Sequence, residues 1–127
     1  MGPVITGSAQ KSIQAGIDSA VAQGGSVLTG GTPYRDGPLA DGFFVAPTIV
    51  EVSGPADIWA DELFGPVVAV RRAADAEEAF ALANDSEFGL SAAVFTQDLT
   101  RALQAVEHID VGVLHVNSES AGADPHV

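Results

Sequence analysis

Between Val67 and Val116, short apolar runs alternate with stretches whose apolar residues recur at helical spacing, and that alternation admits few folds. Residues 67–70 read as a strand, 75–84 as a helix striped by Ala76, Ala79, Phe80 and Ala83, and 91–95 as a second strand. A helix over 98–108, striped by Leu99, Ala102, Leu103 and Val106, and a third strand over 111–116 complete the series. Asp75 and Glu78 stand at capping-box spacing, an acidic form of the usual pair. Two consecutive strand–helix–strand units with near-continuous apolar strands predict a mainly parallel sheet with these three strands in it. Helices on both faces would make it a three-layer α/β fold.

The first half is less regular. Ile13, Ile17, Ala20 and Val21 fall at i, i+4, i+7 and i+8, one stripe of a helix over about 8–23, with Ser8 as its N-cap. Gly24-Gly25 supply a left-handed stop, and 26–29 read as a short strand closed by Gly30-Gly31. Residues 32–42 mix Gly, Pro and Asp without periodicity and predict a surface loop. From 43 to 52, β-branched and aromatic residues predict two extended pieces, with Pro47 at an edge or a bend.

The chain has 127 residues, 46% hydrophobic against 17% charged, which is enough to bury one core. Its net charge of −12, with only Lys11, Arg35, Arg71, Arg72 and Arg101 as cations, disfavours phosphate backbones and anionic lipid. Neither nucleic acid nor a membrane is therefore an expected partner. No apolar run approaches the roughly 18 residues of a membrane span. The start, Met1-Gly2-Pro3-Val4-Ile5, has no basic or apolar leader pattern, so no signal peptide is expected. Cysteine is absent, which excludes disulfides and is compatible with the expected cytoplasmic setting.

One constellation carries possible chemistry. In Asp61-Glu62-Leu63-Phe64-Gly65-Pro66 a carboxylate precedes an aromatic by two residues at a Gly-Pro break, so both side chains could face a cleft. On the residues alone, a solvated acid beside a core aromatic is the more common arrangement. An ionised carboxylate only accepts hydrogen bonds, so Glu62 could hold two neighbouring hydroxyl donors at once. Asp57 and Asp61 read as solvated acids. His108, His115 and His126 lack metal-ligand spacing, and His115 reads as a satisfied histidine of a sheet face. Neither Gly-x-Ser-x-Gly nor Gly-x-Gly-x-x-Gly occurs.

Residues 62–66 resemble the Glu-x-Phe-Gly-Pro signature of the NAD(P)-dependent aldehyde dehydrogenases. Three further stretches are similar to segments of that family in the same order. They are Gly42-Phe43-Phe44-Val45-Ala46-Pro47-Thr48, Ala83-Asn84 through Phe88-Gly89-Leu90, and Gly112-Val113-Leu114-His115-Val116-Asn117. Phe88 stands where the family commonly has tyrosine, and Leu63 where it commonly has isoleucine. The stretch from Asn117 to Val127 resembles the substrate loop of the α-ketoglutaric semialdehyde (2,5-dioxovalerate) dehydrogenases.

The resemblance implies that residues 1–127 are part of a catalytic domain, truncated at both ends. It also implies an oxidation of an aldehyde to a carboxylic acid with NAD or NADP. Glu62 would bind the nicotinamide-side ribose and Phe64 would pack beside the nicotinamide. Asn117, Ser118 and Glu119 would begin the loop that holds a small-molecule aldehyde, 2-oxoglutarate semialdehyde in the subgroup. The family's nucleophilic cysteine, general-base glutamate and glycine-rich cofactor turn lie upstream of the matched part, and an oligomerisation strand lies beyond it. This chain should therefore hold no catalytic residue, be inactive alone, and complete its site only with the rest of a homo-oligomeric enzyme. The alternative is a non-catalytic α/β binding or interaction domain.

Overall fold

A computed structural model describes residues 1–120 of the chain. It divides into two compact units, Met1–Arg72 and Ala73–Val127. The chain is α/β with parallel strand pairs and helices, as the alternation predicts.

The first unit is built on helix α1, Gly7–Ala22. Its N-cap is Thr6 rather than Ser8: the Thr6 hydroxyl accepts the Ala9 amide at 3.1 Å, and Ser8 is already within the helix. The helix ends as the two glycines predict. Gly24, at φ +94°, donates to the Val21 carbonyl and Gly25 to that of Ala20, satisfying two terminal acceptors. Strands β1 (Ser26–Thr29), β2 (Thr48–Glu51) and β3 (Val67–Val70) form one sheet in that order, β1–β2 antiparallel and β2–β3 parallel. Pro47 sits just before β2, where a missing N–H costs the ladder nothing. Only one of the two extended pieces expected from 43 to 52 becomes a strand; the other contributes a single bridge, Pro33 to Val45.

The core lies between α1 and one face of this sheet. Ile13, Ile17 and Ala20 of α1 are buried against Val45, Val50, Val52 and Ile58, whereas Val21 faces out. Fully burying each Ile or Val contributes about 1.5–3 kcal/mol. Thr48 is the one buried polar residue among those described, and it is satisfied: its hydroxyl donates to the Ala46 carbonyl and accepts the Gly31 amide, both at 2.8 Å. The opposite face carries Ile49, Val68 and Val70, all exposed. A short helix, α2 (Asp57–Ala60), which no periodicity announces, pins Ile58 into the core just ahead of the Glu62 turn.

The second unit comprises α3 (Ala76–Asn84), β4 (Ser91–Val94), α4 (Leu99–His108) and β5 (Val113–Val116), with β4 and β5 parallel. The expectation that 67–70, 91–95 and 111–116 share one sheet is corrected here: β3 pairs with β2, and β4 pairs with β5. Alternating elements determine that strands pair in parallel, but they do not determine which strands are neighbours. Asp75 caps α3 by accepting the Glu78 amide at 2.9 Å, while the Glu78 carboxylate reaches past the N-cap amide of a capping box to accept that of Ala74, one residue earlier. Asp98 caps α4 by accepting the Thr100 and Arg101 amides.

The helical stripes of this unit are mostly uncovered. On α3, Ala76 and Phe80 are half-buried while Ala79 and Ala83 are exposed. On α4, Ala102 and Ala105 are buried, but Leu99, Leu103 and Val106 are 74%, 58% and 60% exposed. The helix turns its alanines inward, and the larger residues of the same stripe stay outside.

The first unit buries branched side chains and the second, among its described residues, fully buries only two alanines. Amides of α4, β4 and β5 should therefore open at lower free energy than those of α1 and β2. Native-state hydrogen exchange on the chain should show at least about tenfold slower exchange in α1 and β2. Equal protection in both units would contradict this burial pattern.

Candidate functional site

The Asp61–Pro66 turn is positioned from below by α1. After α2 the chain runs extended through Asp61 (φ −102°, ψ 133°), and Leu63 points inward onto the helix at Gly16. A Cβ on Gly16 would lie 2.5 Å from Leu63 Cδ2, so any larger residue there would make that leucine shift from its seat. Two residues on, a Cβ on Gly65 would lie 2.5 Å from Cδ1 of the buried Ile13. Pro66 then starts the sheet: its carbonyl accepts the Thr48 amide at 2.8 Å, and the Gly65 carbonyl accepts the Val67 amide in a three-residue turn.

Leu63 and Gly65 are thus held against the helix, and the alternate residues, Glu62 and Phe64, are presented outward. Phe64 is 80% exposed and adopts φ +49°. For an aromatic residue this left-handed backbone is strained by about 1–2 kcal/mol. No burial of its own ring compensates. Glu62 is exposed, and the described residues include no ion pair or hydrogen bond to its carboxylate. Both side chains line a cleft of about 600 Å³ with Val4, Ile5, Ala9 and Ser12. Its far wall, the segment before α1 and the first turns of the helix, has no signal in the sequence pattern.

The second group of candidates, Asn117, Ser118 and Glu119, belongs to the second unit, after β5. Asn117 also takes a left-handed backbone, φ +55°, which asparagine tolerates better than phenylalanine does. Its side chain is fully engaged: Oδ1 accepts the Thr96 amide at 2.8 Å and Nδ2 donates to the Thr96 carbonyl at 3.0 Å. Its own amide donates to the Val94 carbonyl at 2.8 Å. Asn117 therefore clamps the ends of β4 and β5 and fixes where the following loop departs. Ser118 and Glu119 are exposed, and the Ser118 hydroxyl lies 3.5 Å from His115 Nδ1. The remainder of the stretch, 121–127, falls outside the described residues.

His115 and Asp57 depart from their sequence readings, and Asn84 adds a role the sequence does not show. His115 is not a satisfied histidine: its Nε2 is buried with no partner among the described residues. Asn84 is a second asparagine clamp, with Nδ2 donating to the His108 carbonyl at 2.7 Å and Oδ1 accepting the Asp110 amide at 2.9 Å. Asp57 is not merely solvated. Its carboxylate accepts the Gln23 amide at 2.6 Å and the Ser19 hydroxyl at 3.3 Å, tying α2 to α1. No group of three His, Cys, Asp or Glu among the described residues is arranged to hold a metal ion.

A family model described as the aldehyde dehydrogenase family matches residues 1–127. The chain is 36% identical over 125 residues to an alpha-ketoglutaric semialdehyde dehydrogenase of Bacillus subtilis (strain 168), covering 98% of this chain and 26% of that protein. It is 38% identical over 128 residues to an alpha-ketoglutarate semialdehyde dehydrogenase of Haloferax volcanii, covering 100% of this chain and 27% of that protein. The fold matches PnpE of Pseudomonas sp. WBC-3, solved in complex with nicotinamide adenine dinucleotide, at a TM-score of 0.89 and 38% identity. That match covers 100% of this chain and 26% of the PnpE chain. The chain thus spans about a quarter of the length of these relatives.

Because the Phe64 backbone is strained and its ring contributes little burial, Phe64→Asn should leave the chain as stable as before or more stable by about 0.5–1 kcal/mol. Urea denaturation of the two proteins checks this. A loss of 2 kcal/mol or more, the typical cost of truncating a core aromatic, would show that Phe64 packs rather than presents.

Proposed function

This chain belongs to the aldehyde dehydrogenase family, and we propose that its first unit supplies part of the cofactor site, and its second unit part of the aldehyde site, of an enzyme that oxidises an aldehyde to a carboxylic acid with NAD or NADP. The observation that carries the reading is the pairing of a strained, exposed Phe64 with a free Glu62 carboxylate on one cleft. A fold does not keep an outward aromatic in a left-handed backbone for its own stability. Such strain is a mark of sites where side-chain placement matters more.

The residues present suit a dinucleotide's nicotinamide half. Glu62 is an acceptor with no internal donor to displace, so both oxygens are available to the two ribose hydroxyls. Phe64 offers a ring face beside it, placed to cover a flat heteroaromatic group and keep water from it. Leu63 and Gly65, pinned on α1, keep that pair from shifting when a ligand binds. NAD or NADP, when bound, accepts the hydride leaving the aldehyde carbon; the chain's part is to hold and orient.

Asn117 fixes the exit of the loop on which Ser118 and Glu119 meet the aldehyde. The Bacillus and Haloferax relatives support 2-oxoglutarate semialdehyde as that aldehyde. The partner that completes the site is the remaining polypeptide of such an enzyme. In the second unit the exposed Leu99, Leu103 and Val106, and in the first the uncovered face of β3, supply apolar surface for it. In this reading residues 1–127 are part of a catalytic domain, and the whole enzyme is a cytoplasmic homo-oligomer.

The chain contains no cysteine, so it has no thiolate to attack a carbonyl. Purified chain incubated with NAD or NADP and a panel of semialdehydes should form no reduced cofactor; turnover that survives repurification would contradict the assignment. In the enzyme carrying this chain, Glu62→Gln should raise the cofactor dissociation constant about ten- to a hundredfold, the worth of a charge-assisted bond. Its thermal midpoint should stay where it was, since Glu62 is exposed and unpaired. A constant that does not move, or a midpoint that falls with it, would make Glu62 structural.

A further inference from the structure

The Glu62 turn has a cleft on each side. The larger, of about 600 Å³, opens toward the start of α1, and the smaller, of about 210 Å³, opens toward Ile58, Val67 and Ala69. Glu62, Leu63, Phe64 and Gly65 line both, so their position alone does not say on which side a ligand of Glu62 lies. The two sides differ in size and in chemistry.

On the smaller side the polar side chains are Glu62 and Asp61, two carboxylates that only accept hydrogen bonds when ionised. Its volume also falls below the about 300–1,000 Å³ of ordinary small-molecule sites, a range that includes the larger cleft. On the larger side the polar side chains are Glu62 and Ser12. Ala9, Ser12 and Gly16 recur at i, i+3 and i+7, one row along α1, and Gly16 ends that row where Leu63 seats. Ser12 therefore stands about one helical turn from the residue that fastens the Glu62 turn. It is exposed and, unlike the side chains of Gln10, Gln14 and Ser19 on the same helix, has no hydrogen-bond partner among the described residues.

A ribose hydroxyl donates one hydrogen bond and also accepts, so a site that satisfies a ribose needs an acceptor and a donor. Glu62 can take the hydrogens of both hydroxyls but can give none back, and Asp61 is no better. A serine hydroxyl can. We propose, resting on the cofactor reading above, that the nicotinamide-side ribose lies on the α1 side of the turn. There the Ser12 hydroxyl donates to one ribose oxygen while Glu62 accepts from both hydroxyls. Ser12 is thus a second cofactor-binding side chain, and the Asp61 side of the turn stays empty of cofactor.

The test is calorimetric, on the enzyme that carries this chain, with Ser12→Ala, Asp61→Asn and Glu62→Gln beside the parent. Two ligands are titrated: the dinucleotide the enzyme uses, and its adenosine diphosphate half, which lacks the nicotinamide-side ribose. Ser12→Ala should raise the dinucleotide's dissociation constant about three- to tenfold, the loss of one neutral hydrogen bond. It should leave the constant for the adenosine half and the thermal midpoint unchanged, and Asp61→Asn should leave both constants unchanged. If Glu62→Gln weakens the dinucleotide and Ser12→Ala does not, or if Asp61→Asn weakens it instead, the proposal is overturned while the cofactor reading stands. If none of the three variants moves that constant, the cofactor reading fails and the proposal with it. An equal loss for both ligands in Ser12→Ala would mark a change of shape rather than a missing ribose contact, and would also overturn the proposal.

Discussion

Everything at the Glu62 turn depends on how closely helix α1 and the 61–66 segment approach. Gly16 on the helix admits Leu63, and Gly65 on the turn admits Ile13. At each glycine a Cβ would displace the side chain now seated there. Because Ile13 also sits in the main core with Ile17, Val50 and Ile58, the turn is fastened to the best-packed part of the chain. Interior packing yields little to small displacements, so a residue fastened there is presented with little freedom. The outward geometry of Glu62 and Phe64 follows from the inward geometry of their neighbours.

The sequence shows the elements more clearly than their neighbours. Helix α1 was readable because Ile13, Ile17 and Ala20 recur on one face and Gly24-Gly25 close it. Strand β3 was readable because Val67–Val70 is apolar and bounded by Pro66 and a pair of arginines. Which strand pairs with β3 was not readable, since pairing is a long-range choice that local periodicity does not encode. The same limit explains α4, where Leu99, Leu103 and Val106 mark an apolar stripe correctly as a stripe but say nothing of what lies against it.

For the site, the Glu-x-Phe-Gly-Pro pattern pointed to Glu62 and Phe64, yet the strain at Phe64 has no sequence signature; phenylalanine is among the last residues one would assign a positive φ. Asn117 was singled out as the start of a loop, and its clamp on Thr96 gives a physical reason for an amide at that position. Asparagine alone combines tolerance of the left-handed backbone with a donor and an acceptor spaced to match a peptide unit. Asn84 does the same work at the turn before β5, and the sequence pattern alone does not reveal its clamp, because the partners at His108 and Asp110, like Thr96 for Asn117, are more than twenty residues away.

The central claim is that Glu62 faces outward to receive a cofactor's ribose, held there by packing that exists before any ligand binds. The most direct measurement is a crystal structure of the enzyme that carries this chain, determined with and without NAD. The account predicts that the Glu62 carboxylate accepts hydrogen bonds from both hydroxyls of the nicotinamide-side ribose. It also predicts that the 61–66 backbone, including the positive φ of Phe64, is the same in both structures. A bound NAD whose ribose lies out of reach of Glu62, or a turn that adopts its left-handed Phe64 only in the complex, would contradict it.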